Sequence, residues 1–357
     1  MVLLQLVITA WMILISIGFL IINFSNLKYQ DESEKLNYGY NPKVLVILPV
    51  KGLDFEFEKN LESLINQDYK NFKIVASIDD ENDPAVEILK KYHIPYIIAD
   101  TECNNCSGKV RAIKAVLNKF KDADVYVIAD SDIRVAKDWL RNLINPLSNK
   151  EIGISTTFPS FYPEGGFWTK VKMVWGLVGE SMMSSQLTRF AWGGSLAFRK
   201  DLIDGTFMQK FEGNISDDIA ILRIAKDKGL KIHYAKNSRV NVHSDDDFKK
   251  FFEWSNRQTA LSINGSEKVF IFGIIYYFAM IFLILASLVL AYKVSLWYLI
   301  FLAIPLLISL NNYRKVVKRS LIVIPISFFL FFFYPINLLI GNSKKEITWR
   351  GRSYRLR

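Results

Sequence analysis

Val2 to Phe24 is an almost unbroken apolar run with no charged residue before Lys28. At about 1.5 Å per helical residue, a run of that length crosses a hydrocarbon core of roughly 30 Å. Neither a basic stretch after Met1 nor a small-x-small cleavage site before Asn26 is present, so the run reads as an uncleaved anchor rather than a secretory signal peptide. Whatever follows must therefore fold beside a bilayer. The other end of the chain repeats the constraint. Val269 to Tyr292 and Leu296 to Leu310 are apolar and joined by a short turn around Lys293, the pattern of a helical hairpin through the membrane. The basic run Arg314, Lys315, Lys318, Arg319 then marks the return to the cytoplasmic side. Leu321 to Ile340 is also long enough to span, but spanning would strand Lys344, Lys345, Arg350, Arg352, Arg355 and Arg357 on the far side. Pro325 and Pro335 admit a broken, re-entrant or interfacial segment, and the tail is expected to stay cytoplasmic.

The net charge of +10 has to be read against that layout. Between Asn311 and Arg357 there are ten Lys or Arg and one acidic residue, Glu346, so nearly all the excess lies among and after the apolar segments. Anionic headgroups draw such a distribution, whereas a nucleic-acid binder carries its basic surface on the folded domain; a nucleic-acid partner is not expected. Cys103 and Cys106 are the only cysteines, and His93, His233 and His243 supply no second ligand pair, so a zinc site is not expected. The pair reads as two loop thiols in a reducing compartment.

Between the membrane segments the periodicity changes. Tyr29 to Asn41 is polar and reads as a linker, and the folded domain starts near Lys43. Val44–Pro49, Phe72–Ile78, Ile94–Ile98 and Val125–Ala129 are short runs rich in β-branched residues; Phe57–Gln67, Ala85–Lys91 and Gly108–Lys119 between them repeat at helical spacing. The alternation predicts an α/β fold with a mostly parallel sheet covered by helices on both faces. The expected organisation is an anchor over 1–27, a linker over 28–42, a cytoplasmic domain over 43–265, membrane segments over 266–341 and a basic cytoplasmic tail over 342–357.

Ligands of such sheets bind beyond the carboxyl ends of the strands. Asp80, at the end of the second strand, can accept hydrogen bonds from a nucleotide base or ribose; an acidic turn with local Asx hydrogen bonding is the plainer account. Asp130 and Asp132 follow the strand Val125–Ala129 and suit Mg²⁺ or Mn²⁺ together with diphosphate oxygens. Asp217 and Asp218 precede an amphipathic helix, where capping is the plain reading and general-base duty for Asp218 the sharper one. Lys109 opens a helix and can offer charge to phosphate, although no P-loop frame surrounds it. Trp192-Gly193-Gly194 allows close approach of a sugar or acceptor, or makes an ordinary tight turn. The aromatics Phe161, Tyr162, Phe167, Trp168 and Trp175, with Lys170 and Lys172, suit a surface dipping into headgroups or ordinary core packing.

These motifs are similar to those of the family 2-like inverting glycosyltransferases, most closely the ceramide glucosyltransferases. The resemblance runs over nearly the whole chain: Leu48 to Asp54, Asn60 to Ser63, Asp83 to Ala85, Asp130 to Val135, Phe198 to Leu202, and most distinctively the tail Ile347 to Arg357. It implies a nucleotide-sugar-binding sheet of the GT-A type and a UDP-sugar donor, a hexose such as glucose being moved to a membrane lipid bearing a hydroxyl. By the same resemblance Asp80 meets the uridine, Asp130 and Asp132 the metal and diphosphate, Lys51 and Lys109 the nucleotide, and Asp218 is the base. Where the family has Gln-x-x-Arg-Trp, this chain has Trp254-Ser-Asn-Arg257-Gln258: Arg257 fits as a diphosphate ligand, and the flanking residues do not. His243 is a further candidate at the metal, and Trp192, Gly193 and Asp217 at the sugar or acceptor. Polyprenyl phosphate or a growing glycan are alternative acceptors. A non-catalytic scaffold is the rival class, against which the retained Asp80, Asp130, Asp132 and Asp218 count.

Overall fold

The computed structural model describes residues 2–28, 37, 39–101, 103, 106–186 and 188–356, with the backbone alone over 23–28; most of the expected linker lies outside the described residues. The first half alternates as its periodicity predicts. Helix α1 (Val2–Lys28) is followed by β1 (Val44–Pro49), α2 (Phe57–Ile65), β2 (Phe72–Ile78), α3 (Ala85–Lys91), β3 (Tyr96–Ile98), α4 (Gly108–Lys119) and β4 (Val125–Ala129). Then come β5 (Ile133–Val135), α5 (Trp139–Ile144), β6 (Ile152–Thr156), β7 (Ser160–Pro163), α6 (Phe167–Trp175), α7 (Leu177–Ser184) and β8 (Ser195–Arg199). Helices α8 (Phe207–Glu212) and α9 (Asp217–Asp227), strands β9 (Lys231–Tyr234) and β10 (Val240–Ser244), and α10 (Phe248–Gly265) complete this part.

The strands form a seven-stranded sheet ordered β3-β2-β1-β4-β8-β6-β9. Pairing is parallel across β3-β2-β1-β4 and antiparallel on both sides of β8. Alternate residues of each strand feed opposite layers: Val46, Leu48, Ala76 and Val127 enter one core, while Leu45, Ile47, Val75 and Ile128 enter the other. Burial on both faces is why these strands read as continuous apolar runs rather than polar–apolar alternations. A smaller sheet, β5-β10-β7, flanks the strand ends.

Among the described residues, four helical segments are long and apolar enough to cross a membrane: Val2–Ile22, Lys268–Lys293, Leu296–Lys315 and Val323–Ser343. The second is α11 (Lys268–Lys293); the third starts as a 3₁₀ turn at Leu296 and continues as α12 (Ala303–Lys315); the fourth is α13 (Val323–Ser343). Helix α1 is joined to this group by polar contacts, Gln5 Nε2 donating to Tyr298 Oη at 3.1 Å and Thr9 Oγ1 lying 3.0 Å from the same oxygen. Helix α13 runs unbroken through Pro335, so the chain is not interrupted there. Its residues are half-buried because it is wedged between α11 and α12 on one side and α6 and α10 on the other. That packing holds a proline-containing helix that composition alone would let break.

Two local readings are corrected. Cys103 and Cys106 are joined in a disulfide, their Cα atoms 5.8 Å apart, rather than standing as free loop thiols. A spacing of three residues is short enough for a disulfide to bridge, and it reads equally well as two thiols. Lys172 is no headgroup-facing cation: it is buried against Asp246 at 2.8 Å, above the ring of Trp254. Trp168 and Trp175 are packing residues, stacked on Phe251 and edge-on to Trp254 respectively, and Trp175 lies against Tyr334 of α13.

The basic tail also has structure. After α13 the chain forms a hairpin of β11 (Glu346–Trp349) and β12 (Arg352–Arg355), antiparallel, with Trp349 opposite Arg352.

Candidate active site

The carboxyl ends of β1, β2 and β4 open on one cleft, and β8 brings the turn Trp192–Gly194 to its floor, since Ser195 pairs with Ala129. This turn gathers three of the expected residues. The amide of Gly193 donates to Asp218 Oδ2 at 2.9 Å, its carbonyl accepts from Lys109 Nζ at 3.1 Å, and the Gly194 carbonyl accepts from the Asp130 amide at 3.0 Å. A side chain at Gly193 would meet the Asp217 carboxylate at 2.5 Å, so this close approach needs glycine. Trp192 is set by reciprocal hydrogen bonds with Thr156, its amide and carbonyl each 3.1 Å from Thr156 Oγ1, and its ring leans on Phe158.

Lys109 is seated by the start of α4, where Ser107 caps the helix by accepting from the Val110 amide. Its side chain is only 10% exposed and lies 2.7 Å from Asp130 and 3.4 Å from Asp217. Burial alone would lower the pKa of its ammonium, but the charges of Asp130 and Asp217 outweigh that and raise it, so Lys109 stays charged. Asp217 is buried, and desolvation pushes its carboxyl up to about 7 despite Lys109, with Asp218 and Asp130 adding to the rise. Its Oδ2 is near Lys109 without an aligned hydrogen bond. Asp218, one residue on, is half-exposed and accepts three hydrogen bonds: besides Gly193 it accepts from Ser216 Oγ and from the Ile219 amide at 2.7 Å. The neighbouring aspartates thus differ in kind. Asp217 is an interior partner of Lys109, and Asp218 presents an oriented carboxylate to the cleft.

Beside them Asp130 and Asp132 flank Ser131, whose hydroxyl donates to Asp54 at 2.5 Å. Burial and the charges of Asp130 and Asp54 push the Asp132 carboxyl up to about 7. Lys109 pairs with Asp130 and Arg350 with Asp54, while Asp132 beside them has no ion pair among the described residues, which is the setting a hard divalent cation relieves. His243 is placed in β10 with its Nδ1 2.6 Å from Glu164 and its ring stacked on Tyr162. The potential ligand atoms of Glu56, Glu164 and His243 lie within 4.8 Å of one another.

At the end of β2 the two acidic residues separate sharply. Asp80 is exposed and accepts from the amide and side chain of Asn82, the local Asx turn. Asp79, which the sequence does not single out, is the charged hub: Arg111 lies 2.6 Å away, Arg352 3.0 Å and Lys51 3.4 Å. Burial works against its charge, yet the Arg111 hydrogen bond and the charges of Arg352, Arg111 and Lys51 prevail and hold its carboxyl below the usual range. Arg257, on α10, lies with its guanidinium 5.9 Å from the ring centre of Trp349. Arg350, Arg352 and Trp349 are site residues that sequence reasoning misses, although the tail is its most distinctive stretch.

A solved structure with the same fold is the mannosyltransferase PcManGT from Pyrobaculum calidifontis in complex with GDP-Man and Mn²⁺. It aligns with a TM-score of 0.61 at 14% identity, over 94% of this chain and 98% of that one. The fold is that of the GT-A-type glycosyltransferases, and the molecule is a glycosyltransferase. Within that class the chain belongs to Glycosyl transferase family 21, whose profile matches residues 8–357. Ceramide glucosyltransferase of Komagataella phaffii (strain GS115) is 29% identical over 125 residues, 32% of this chain and 24% of that protein. The Candida albicans (strain SC5314) protein of the same name is 30% identical over 109 residues, 26% of this chain and 20% of that protein. The chain thus aligns with a quarter or less of either relative's length.

Proposed function

We propose that this glycosyltransferase moves a hexose, glucose by the relatives it resembles, from a UDP-sugar to the hydroxyl of a membrane lipid of the ceramide kind, with inversion at the anomeric carbon. The observation that carries this reading is the Gly193–Gly194 turn, which ties Asp218, Lys109 and Asp130 into one locus at the strand ends. Asp218 takes the proton of the acceptor hydroxyl as that oxygen attacks the anomeric carbon, and the bond to the diphosphate breaks on the opposite side. The bonds from Gly193, Ser216 and Ile219 fix the direction in which its free lone pairs point. Lys109 and Arg257 supply positive charge to the diphosphate, and Lys51 and Asp80 belong to the nucleotide end. Asp130 and Asp132 would hold Mg²⁺ or Mn²⁺, which when bound stabilises the charge gathering on the departing diphosphate.

The acceptor side supports a lipid. Helices α6 and α10, which flank the cleft, rest directly on α13 and through it on the apolar helices. The basic stretch after α12 supports a catalytic domain on the cytoplasmic face.

The test is transfer of radiolabelled glucose from UDP-glucose into extractable lipid by the full chain in native lipids, with and without Mn²⁺ or Mg²⁺. Asp218→Asn is expected to lower the rate by about 10²- to 10⁴-fold while UDP binding persists. If Asp218→Asn keeps the full rate, the assignment of the base is wrong. Label entering a polyprenyl phosphate, or only a soluble glycan, would move the acceptor to those classes.

A further inference from the structure

The carboxyl-terminal hairpin is built to reach the donor cleft. With a period of two, Ile347, Trp349, Arg352 and Tyr354 share its inner face, while Glu346, Ser353 and Arg355 stand exposed on the outer one. A two-stranded hairpin alone is marginal in water, so its contacts hold it. Every inner residue has one. Ile347 is 2% exposed, Trp349 lies against Arg257, Arg352 pairs with Asp79, and Tyr354 Oη accepts from the Gly108 amide at 3.2 Å. The tip is Arg350-Gly351, both at positive φ, 48° and 76°, the turn a two-residue hairpin favours but an unusual conformation for arginine. That conformation projects the Arg350 guanidinium onto the Lys51 carbonyl and Asp54, the latter at 2.6 Å.

The result is a cluster of cations from distant parts of the chain. Arg350 lies on the Lys51 carbonyl and Asp54 after β1, Arg352 and Lys51 meet on Asp79 after β2, and Arg257 approaches from α10 against Trp349. The carboxylates present do not use them fully. Asp79 Oδ2 is 3.0 Å from Arg352 but receives no aligned hydrogen bond, and burial together with the Arg350 charge works against the Arg257 guanidinium. A multiply charged anion with several acceptor oxygens would take the Arg352 donors that Asp79 leaves unaligned and offset the repulsion between Arg350 and Arg257.

We propose that the hairpin is a donor clasp: Arg350 and Arg352 are direct ligands of the nucleotide-sugar diphosphate, and Trp349 is a positioning residue that holds Arg257 toward the same group. This rests on the nucleotide-sugar reading above. Asp54 and Asp79 keep the two arginines extended over the cleft, and the diphosphate takes over part of those pairings when it enters. The hairpin follows α13 by only a few residues, so the clasp is tethered to the helix that packs on the catalytic domain.

The experiment is a set of titrations on the full chain in lipid nanodiscs, using UDP and uridine, with GDP and guanosine in parallel. The wild type is expected to prefer the diphosphate over its nucleoside. Arg350→Ala and Arg352→Ala are each expected to weaken diphosphate binding on the order of 10-fold or more, as loss of a charge-assisted hydrogen bond does, and to leave nucleoside binding within about twofold. Trp349→Ala should narrow the same preference, with Trp349→Phe restoring most of it. Arg350→Lys and Arg352→Lys keep charge without the fork and should fall between; melting temperatures identify any variant that has lost its fold. If the alanine and lysine variants fold and keep the full diphosphate preference, the hairpin is a structural strap and the clasp is overturned while the transferase reading stands. If the wild type shows no preference for either diphosphate, the clasp and the nucleotide-sugar donor reading fall together.

Discussion

The two sides of the cleft are made of different material. Toward β1, β2 and α4 the contacts are ionic: Lys51, Arg111 and Arg352 meet on Asp79, Arg350 pairs with Asp54, and Lys109 lies between Asp130 and Asp217. Toward α6, α10 and α13 they are aromatic: Phe161 and Trp175 each meet Trp254 at about 5 Å, Trp168 meets Phe251, and Tyr334 meets both Trp175 and Tyr277. Charge networks fail when one member goes, because the others are left desolvated and alone; aromatic clusters degrade by degrees, because each ring has several neighbours. A donor rich in phosphate and an acceptor rich in methylene suit the two sides respectively.

That contrast can be broken experimentally. The largest effect expected is Lys109→Met, which leaves Asp130 and the buried Asp217 uncompensated and should cost about 3–5 kcal/mol of stability. Thermal unfolding of the full chain in detergent reads it, and adding Asp217→Asn should recover much of the loss. A milder response from the single variant than from a ring deletion would overturn the contrast. Next is Asn337→Leu on the aromatic side. Asn337 is buried, accepts from Trp175 Nε1 at 3.0 Å, and donates to Ser255 Oγ at 3.2 Å and Asn256 Oδ1 at 2.9 Å. Its loss leaves those groups unpaired at about 1–3 kcal/mol, and hydrogen exchange should rise along α10 more than along β1 and β4. The smallest is a pH effect at Asp79. Its folded pKa lies below the ordinary 3.8, so its contribution is complete above that pH and is lost as the pH falls through the folded value. Asp79→Asn should flatten the acid limb of the stability curve below about pH 4 and leave the neutral plateau lower; an unchanged acid limb would place that titration elsewhere.

How far the sequence is legible follows the same division. The strands β1, β2 and β4 and the helices between them can be read because their spacing is a local property. The carboxylates Asp130 and Asp218 can be picked out because strand and helix ends are where such sheets bind ligands. What is not legible is direction. Asp79 and Asp80 are adjacent and chemically identical, and only the fold shows that one meets Arg111, Lys51 and Arg352 while the other folds back on Asn82. Nor does local spacing reveal that Pro335 sits in an unbroken helix, because the packing that sustains it comes from α6 and α10. The hairpin does leave a signal: Arg-Gly between the alternating residues Ile347, Trp349, Arg352 and Tyr354 is a turn between two short strands. It is easily missed because a short basic run after an apolar helix is more simply a topological marker.

The hairpin's attachment has a practical consequence. The catalytic sheet lies between α1 and α11, and keeping residues 43–265 alone would be the obvious route to a water-soluble enzyme. Such a fragment would lose Trp349, Arg350 and Arg352 along with the apolar helices, leaving Asp54 without its arginine and Asp79 with fewer cations. It would also bare the aromatic flanks of α6 and α10. Solubilising this enzyme by truncation therefore removes residues proposed for its nucleotide site, and inactivity of the fragment would say nothing about whether the bilayer itself is needed for turnover.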